Sequence, residues 1–180
     1  PLYTHPEMGY RIADLPGGQE VVQRFTNCGQ LARRLGIRLT FHPDQFILLS
    51  SPDPVITRRS NEELRYQAMV SEWVGADVIN IHGGGGYGDK PGSIERVFRR
   101  IRNMDGHIRD RLTLENDDRV YTPADLLPRC EENGVPFVYD VHHHRCLYDG
   151  LSVETVTNRA LNTWDREPLF HISSPREGWK

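Results

Sequence analysis

Five short apolar runs, each ending on or beside a histidine or a carboxylate, set the strongest limit on what this chain can fold into. They are IRLTFH ending at His42, DVINIH at His82, LTLE at Glu115, PFVYD at Asp140, and the run around His171. Runs of this length, rich in β-branched and aromatic residues, read as buried strands. The segments between them carry helical periodicity, so the chain alternates strand and helix. That pattern specifies an α/β protein with a parallel sheet and right-handed crossovers. An open doubly wound sheet gathers its polar site at one switch point, whereas a barrel collects one from the C-terminal end of every strand. One ligand-type residue per strand, five times over, therefore predicts a TIM (β/α)8 barrel. A complete barrel takes about 250 residues, so the 180-residue chain is expected to be one partial-barrel domain with about five strands and neighbours missing on both sides.

The helices are placed by their apolar periods and their stops. Val21, Val22, Phe25, Leu31, Ala32 and Leu35 define a helix over 19–36 ending at Gly36. Asp53-Pro54 opens a second to about Gly75, and Val97, Ile101 and Met104 mark a third over 93–108, surrounded by arginines. TPAD at 122 with Gly134 bounds the fourth, and the capping-box sequence SVET at 152 opens the fifth, to 164. Residues 1–17 read as loop. Gly83 to Gly86 read as a turn at which backbone can approach a phosphate, with Lys90 as a nearby point charge.

The run PFVYDVHHHRC turns abruptly from a buried strand to Asp140, His142, His143, His144 and Arg145. A carboxylate followed three residues later by an imidazole offers donors that Zn, Mn and Fe accept. Taken with His42, His82, Glu115 and His171, it predicts a multinuclear metal site with Glu115 as the bridging carboxylate. Two metals can activate water and stabilise a leaving oxygen in phosphodiester cleavage, but similar ligands serve sugar isomerases, so the donors alone leave the substrate open.

Composition narrows the setting. Net charge is -3, so nucleic-acid binding would need a local basic face or bound cations. The basic residues are arginines apart from Lys90 and Lys180. Three cysteines without a CxxC spacing favour reduced thiols in a cytoplasmic protein, and neither a signal peptide nor a membrane-length apolar run is found in the sequence.

HPDQF at 42–46, NIHGGGGYGDK at 80–90, LENDDR at 114–119, YDVHHH at 139–144 and FHISS at 170–174 resemble, in the same order, segments of the UV damage endonucleases. That family is related to endonuclease IV and xylose isomerase. The resemblance implies a divalent-metal DNA repair nuclease, with Mn as the first choice of metal and Zn, Mg or Co as others, cutting double-stranded DNA 5' to a UV photoproduct. It implies one metal on His42 and His82, Glu115 bridging to a second on Asp140 and His171, and His143 serving a third; Glu115, His42 and His82 would be the catalytic residues. Strict strand alternation would favour His142 over His143, but D-x-x-H is the family's spacing. Gln45 and Phe46 would wedge into the duplex at the lesion, and Lys90 and Asn116 would be further DNA contacts. Further ligands of the family would lie beyond both ends of this sequence, and Leu169 stands where some members have lysine. A family-like monomer is implied, although open barrel edges invite self-association. The alternatives are a xylose-isomerase-like sugar isomerase or epimerase, and a metal- and DNA-binding fragment without turnover.

Overall fold

The computed structural model describes residues 9–174. Five parallel strands form one sheet in chain order: β1 (Thr40–Phe41), β2 (Val78–His82), β3 (Leu112–Glu115), β4 (Phe137–Asp140) and β5 (Phe170–His171). The helices are α1 (Gly18–Arg34), α2 (Pro54–Val74), α3 (Lys90–Arg102), α4 (Gly106–Arg109), α5 (Pro123–Asn133), α6 (Val141–Cys146) and α7 (Val153–Asn162). This is the expected α/β half-barrel. Although three strands separate β1 from β5, the His42 and His171 rings lie 5.7 Å apart at one end, and Arg38 Nη1 donates to the Pro168 carbonyl at 3.4 Å at the other. The sheet is therefore rolled rather than flat.

Strand alternation sorts side chains into two sets. Ile79, Ile81, Leu112, Leu114, Phe137 and Tyr139 join the core with Leu64, Ala68, Val97, Phe98, Leu126, Leu127, Cys130, Val156 and Ala160 of the helices. The alternate positions, Asn80 and His82, Thr113 and Glu115, Val138 and Asp140, point to the barrel interior. Register then levels the ligands, since His82 pairs with Glu115 and Asp140 with His171. The helix layer packs closely: a Cβ at Gly29 on α1 would lie 2.1 Å from the Val74 carbonyl oxygen of α2.

The differences from expectation have local causes. Gly36 adopts φ +66° and Ile37 N–H returns to the Ala32 carbonyl, so the chain is still closing α1 where a strand was expected to begin. What remains of β1 is the two residues that pair with Val78 and Ile79. The helix expected over 93–108 starts at Lys90, because the Asp89 carboxylate caps it through Gly92 N–H at 3.0 Å. It ends at Arg102, with Asn103 as C-cap, and restarts at Gly106 as α4. Ser152 caps α7 through Thr155 N–H at 3.1 Å, without the reciprocal half of a capping box. The described part of 1–17 contains a 3-10 turn, Ile12–Asp14, and residues 1–8 of that expected loop lie outside the described residues.

Candidate metal centre

One buried carboxylate gathers the site. Glu115, at the end of β3 and 1% exposed, receives ligand-type groups on both oxygens. His171 Nδ1 lies 3.0 Å and His143 Nδ1 3.5 Å from Oε1, and His42 Nε2 lies 3.3 Å from Oε2. Asn80 Nδ2 also donates to Oε2, while its Oδ1 accepts from the Thr113 hydroxyl at 2.9 Å. Asn80 and Thr113 were not among the sequence-derived candidates. Their signal was there in the alternation, because each stands two residues before a ligand on the same strand face.

Electrostatics follow the geometry. Burial works to raise the Glu115 pKa, but hydrogen bonds from His171 and His42 and the charge of neighbouring histidines outweigh it and hold the carboxyl well below its usual range. The hydrogen bond to Glu115 raises His171 in turn, against its own burial. His82 is pushed the other way by burial, and the neighbouring His42 and His143 add to the lowering while Glu115 opposes it. The His82 Nδ1 atom is buried and has no hydrogen-bond partner among the described residues. Neutral imidazoles and an ionised carboxylate are the protonation states that metal binding requires.

Two groups of three have ligand atoms within 4.8 Å of one another: His42, Glu115 and His171, and His82, Glu115 and His143. Glu115 belongs to both. The expected pairing put His42 with His82, whose rings are 5.3 Å apart, while the three-residue group that contains His42 joins it to His171 across the rolled sheet. Asp140 lies between the groups, its Oδ2 3.7 Å from His143 Nδ1 and 4.0 Å from His171 Nδ1. The donor set of imidazole nitrogens and carboxylate oxygens fits a divalent transition metal.

The chain becomes helical directly after Asp140, so strand alternation stops governing the next residues. Asp140 Oδ1 caps α6 by accepting from His143 N–H at 2.8 Å. His143 Nδ1 then donates to the Asn116 carbonyl at 2.9 Å, which orients the ring and leaves Nε2 as the lone-pair nitrogen. His142 lies apart from this group, with Nε2 3.9 Å from Cys146 Sγ. Asn116, expected to meet DNA, is 0% exposed; its Oδ1 accepts from Asp140 N–H and its Nδ2 donates to the Asp140 carbonyl, both at 2.9 Å. Its amide clips the ends of β3 and β4 together.

Gln45 and Phe46 lie outside the cluster, in the loop between β1 and α2. Both are exposed, Phe46 at 73%. The base of their loop is fixed, with Ile47 and Leu49 buried, Leu48 N–H bonded to Ser60 Oγ at 2.9 Å and Arg96 Nε to the Ser50 carbonyl at 2.8 Å. Lys90 Nζ is paired with Asp125 Oδ2 at 2.5 Å and overlies the Tyr121 ring. Tyr121 packs under the glycine turn, and a Cβ at Gly83 would come within 2.5 Å of its Cδ2.

A rolled parallel sheet with its polar cluster at the C-terminal strand ends defines a TIM-barrel protein with a candidate histidine–carboxylate metal centre. The solved D-psicose 3-epimerase of Clostridium cellulolyticum H10 shares that fold, with a TM-score of 0.67 at 19% identity over 85% of this chain and 58% of that one. The UV-endonuclease UvdE family matches residues 1–180, and the chain belongs to it. The UV DNA damage endonuclease of Bacillus pumilus is 38% identical over 183 residues, covering 98% of this chain and 56% of the relative. The chain thus spans little more than half the length of that relative. The crystal structure of SacUVDE matches all of this chain and 61% of its own, with a TM-score of 0.89 at 29% identity. Among the described residues no helix is long and apolar enough to cross a membrane.

Proposed function

We propose that this chain supplies the metal centre and a lesion-reading loop of a DNA repair endonuclease that hydrolyses the phosphodiester 5' to UV photoproducts. The observation that carries this reading is the convergence of His42, His143, His171 and Asn80 on the buried carboxylate of Glu115, in a chain of the UV-endonuclease family. His42 and His171 would hold one divalent ion, His82 and His143 a second, with Glu115 shared and Asp140 reaching toward both. Mn is the first candidate and Zn, Mg or Co the others. Ions held there would supply charge neutralisation at the scissile phosphate and acidify a water for attack. Asn80 keeps the Glu115 carboxylate oriented, and Asn116 keeps Asp140 level with it. Phe46 and Gln45 would supply the aromatic ring and the amide that replace flipped bases, from an exposed loop whose base is hydrogen-bonded to Ser60 and Arg96. Lys90 stays a candidate phosphate contact only if DNA draws it from Asp125. The 180 residues act as one partial-barrel domain of a cytoplasmic enzyme on double-stranded DNA.

Incision of supercoiled plasmid tests the reading. With Mn2+ present, UV-irradiated plasmid should be nicked and intact plasmid spared. Glu115→Gln should slow nicking at least about a hundredfold, since it removes several kcal/mol of charge-based stabilisation. Equal nicking of irradiated and intact plasmid, or activity indifferent to both chelator and Glu115→Gln, would refute it. Turnover of a ketose with both plasmids untouched would instead favour an epimerase.

A further inference from the structure

A second buried polar chain lies on the helix side of β4, behind the candidate metal centre. Tyr139 is 0% exposed and faces away from Asp140, as strand alternation requires. Its hydroxyl lies 2.7 Å from His144 Nδ1, and His144 Nε2 lies 2.8 Å from Asp149 Oδ1. Asp149 also accepts from Leu151 N–H at 2.9 Å and, through Oδ2, from Ala124 N–H at 2.7 Å in the first turn of α5. An acceptor carboxylate on Nε2 makes Nε2 the protonated nitrogen, so Nδ1 accepts and the Tyr139 hydroxyl donates. Burial pushes the Tyr139 pKa up to about 12, with Asp149 adding to it, which keeps that donor protonated. Tyr148 stacks on the His144 ring, with centroids 5.5 Å and planes 30° apart.

This chain of bonds sits where it can govern the metal centre. The helix α6 has six residues, too few to hold its own orientation. Its start is fixed by the Asp140 cap, and its rotation is fixed by where His144 is buried. Adjacent helical residues differ by about 100° in direction, so locking His144 into the core turns His143 toward Glu115. We propose that Tyr139, His144 and Asp149 form a strut that positions His143, and with it Asp140, for metal binding. The inference rests on the metal-centre reading above. The three are positioning residues and touch neither Glu115 nor substrate.

Titration of the metal-free protein with Co2+, followed by its visible absorption, tests the strut and its premise separately. Tyr139→Phe, which removes one oxygen on the face of β4 away from Asp140, and Asp149→Asn should each weaken one bound equivalent about 10- to 100-fold and change its absorption band, the range found when a ligand's supporting partner is lost. Ile101→Val in α3 serves as a control that loses core packing without touching the strut, and should bind Co2+ as the unaltered protein does. His143→Ala should abolish that equivalent. If it does while Tyr139→Phe and Asp149→Asn keep full affinity and an unchanged band, the strut is overturned and the metal centre stands. Retention of every equivalent by His143→Ala overturns both, because the strut then has no ligand to aim.

Discussion

Asn116→Leu separates a brace from a DNA contact. Leucine keeps the four heavy atoms and the Cγ branch of the asparagine side chain, with bulkier methyl groups, but can neither accept from Asp140 N–H nor donate to its carbonyl, the two bonds of 2.9 Å that the amide now makes. Both backbone groups belong to a residue 6% exposed, so water can replace only part of what is lost. Each unsatisfied buried group costs about 1–3 kcal/mol, and partial hydration from the cleft points to the lower half of that range. We therefore expect a loss of about 2–4 kcal/mol. With a urea m-value of about 2 kcal/mol/M for a chain of this size, the unfolding midpoint of the metal-free protein should fall by about 1–2 M at unchanged slope. Circular dichroism against urea measures it. A shift below about 0.25 M, equivalent to about 0.5 kcal/mol, would show that the clip between β3 and β4 contributes little. If such a variant also bound irradiated duplex less well, Asn116 would be a reading residue after all.

Glu115→Gln should remove more than one equivalent of bound metal, measured by elemental analysis after gel filtration, because both three-residue groups include that carboxylate. A mutant that loses none would end the bridging assignment. In the metal-free protein, stability should peak near pH 6.5, the ordinary histidine value. His82 is lowered in the fold, so the unfolded chain binds more protons below 6.5 and stability rises with pH up to that point; His171 is raised, so the native state binds more protons above 6.5 and stability falls beyond it. His82→Gln should flatten the acid limb of that curve and His171→Gln the alkaline limb, and identical curves for all three proteins would contradict the assigned directions. Phe46→Ala should weaken discrimination between irradiated and intact duplex about 5- to 150-fold, as the loss of roughly 1–3 kcal/mol of base stacking predicts, with metal content unchanged. Lost metal with discrimination intact would instead make the 43–49 loop a support for the centre.

The strands and the candidate ligands at their ends were legible because each is encoded locally, by an apolar run and the residue that stops it. What local pattern could not carry is the radius of the roll. His42 meets His171 because five strands curve, and no spacing in the sequence states how tightly they do so, which is why a candidate group joining these two was not read from the motifs. Asn80 and Thr113 were readable in principle, as polar residues on the inward face of otherwise apolar strands. HHH after Asp140 was ambiguous for a different reason: a loop and a short helix share that composition, and the difference is made by Asp140 capping His143 and by Asp149, five residues past His144, accepting from its ring.

The loop bearing Gln45 and Phe46 shows the same limit from the helix side. Arg96 and Arg100, one turn apart on α3, look like members of a solvated arginine face when read in sequence. In the fold they donate to the Ser50 and Leu49 carbonyls, some fifty residues earlier, and burial lowers the Arg100 pKa. A backbone carbonyl carries no residue identity, so no sequence pattern marks it as the acceptor. Yet these bonds hold the loop's base rigid while its tip stays exposed, and an aromatic ring held ready in that way loses less conformational freedom when it stacks on a base. The proposed reading of a lesion by Phe46 would therefore depend on arginines that need not touch DNA at all.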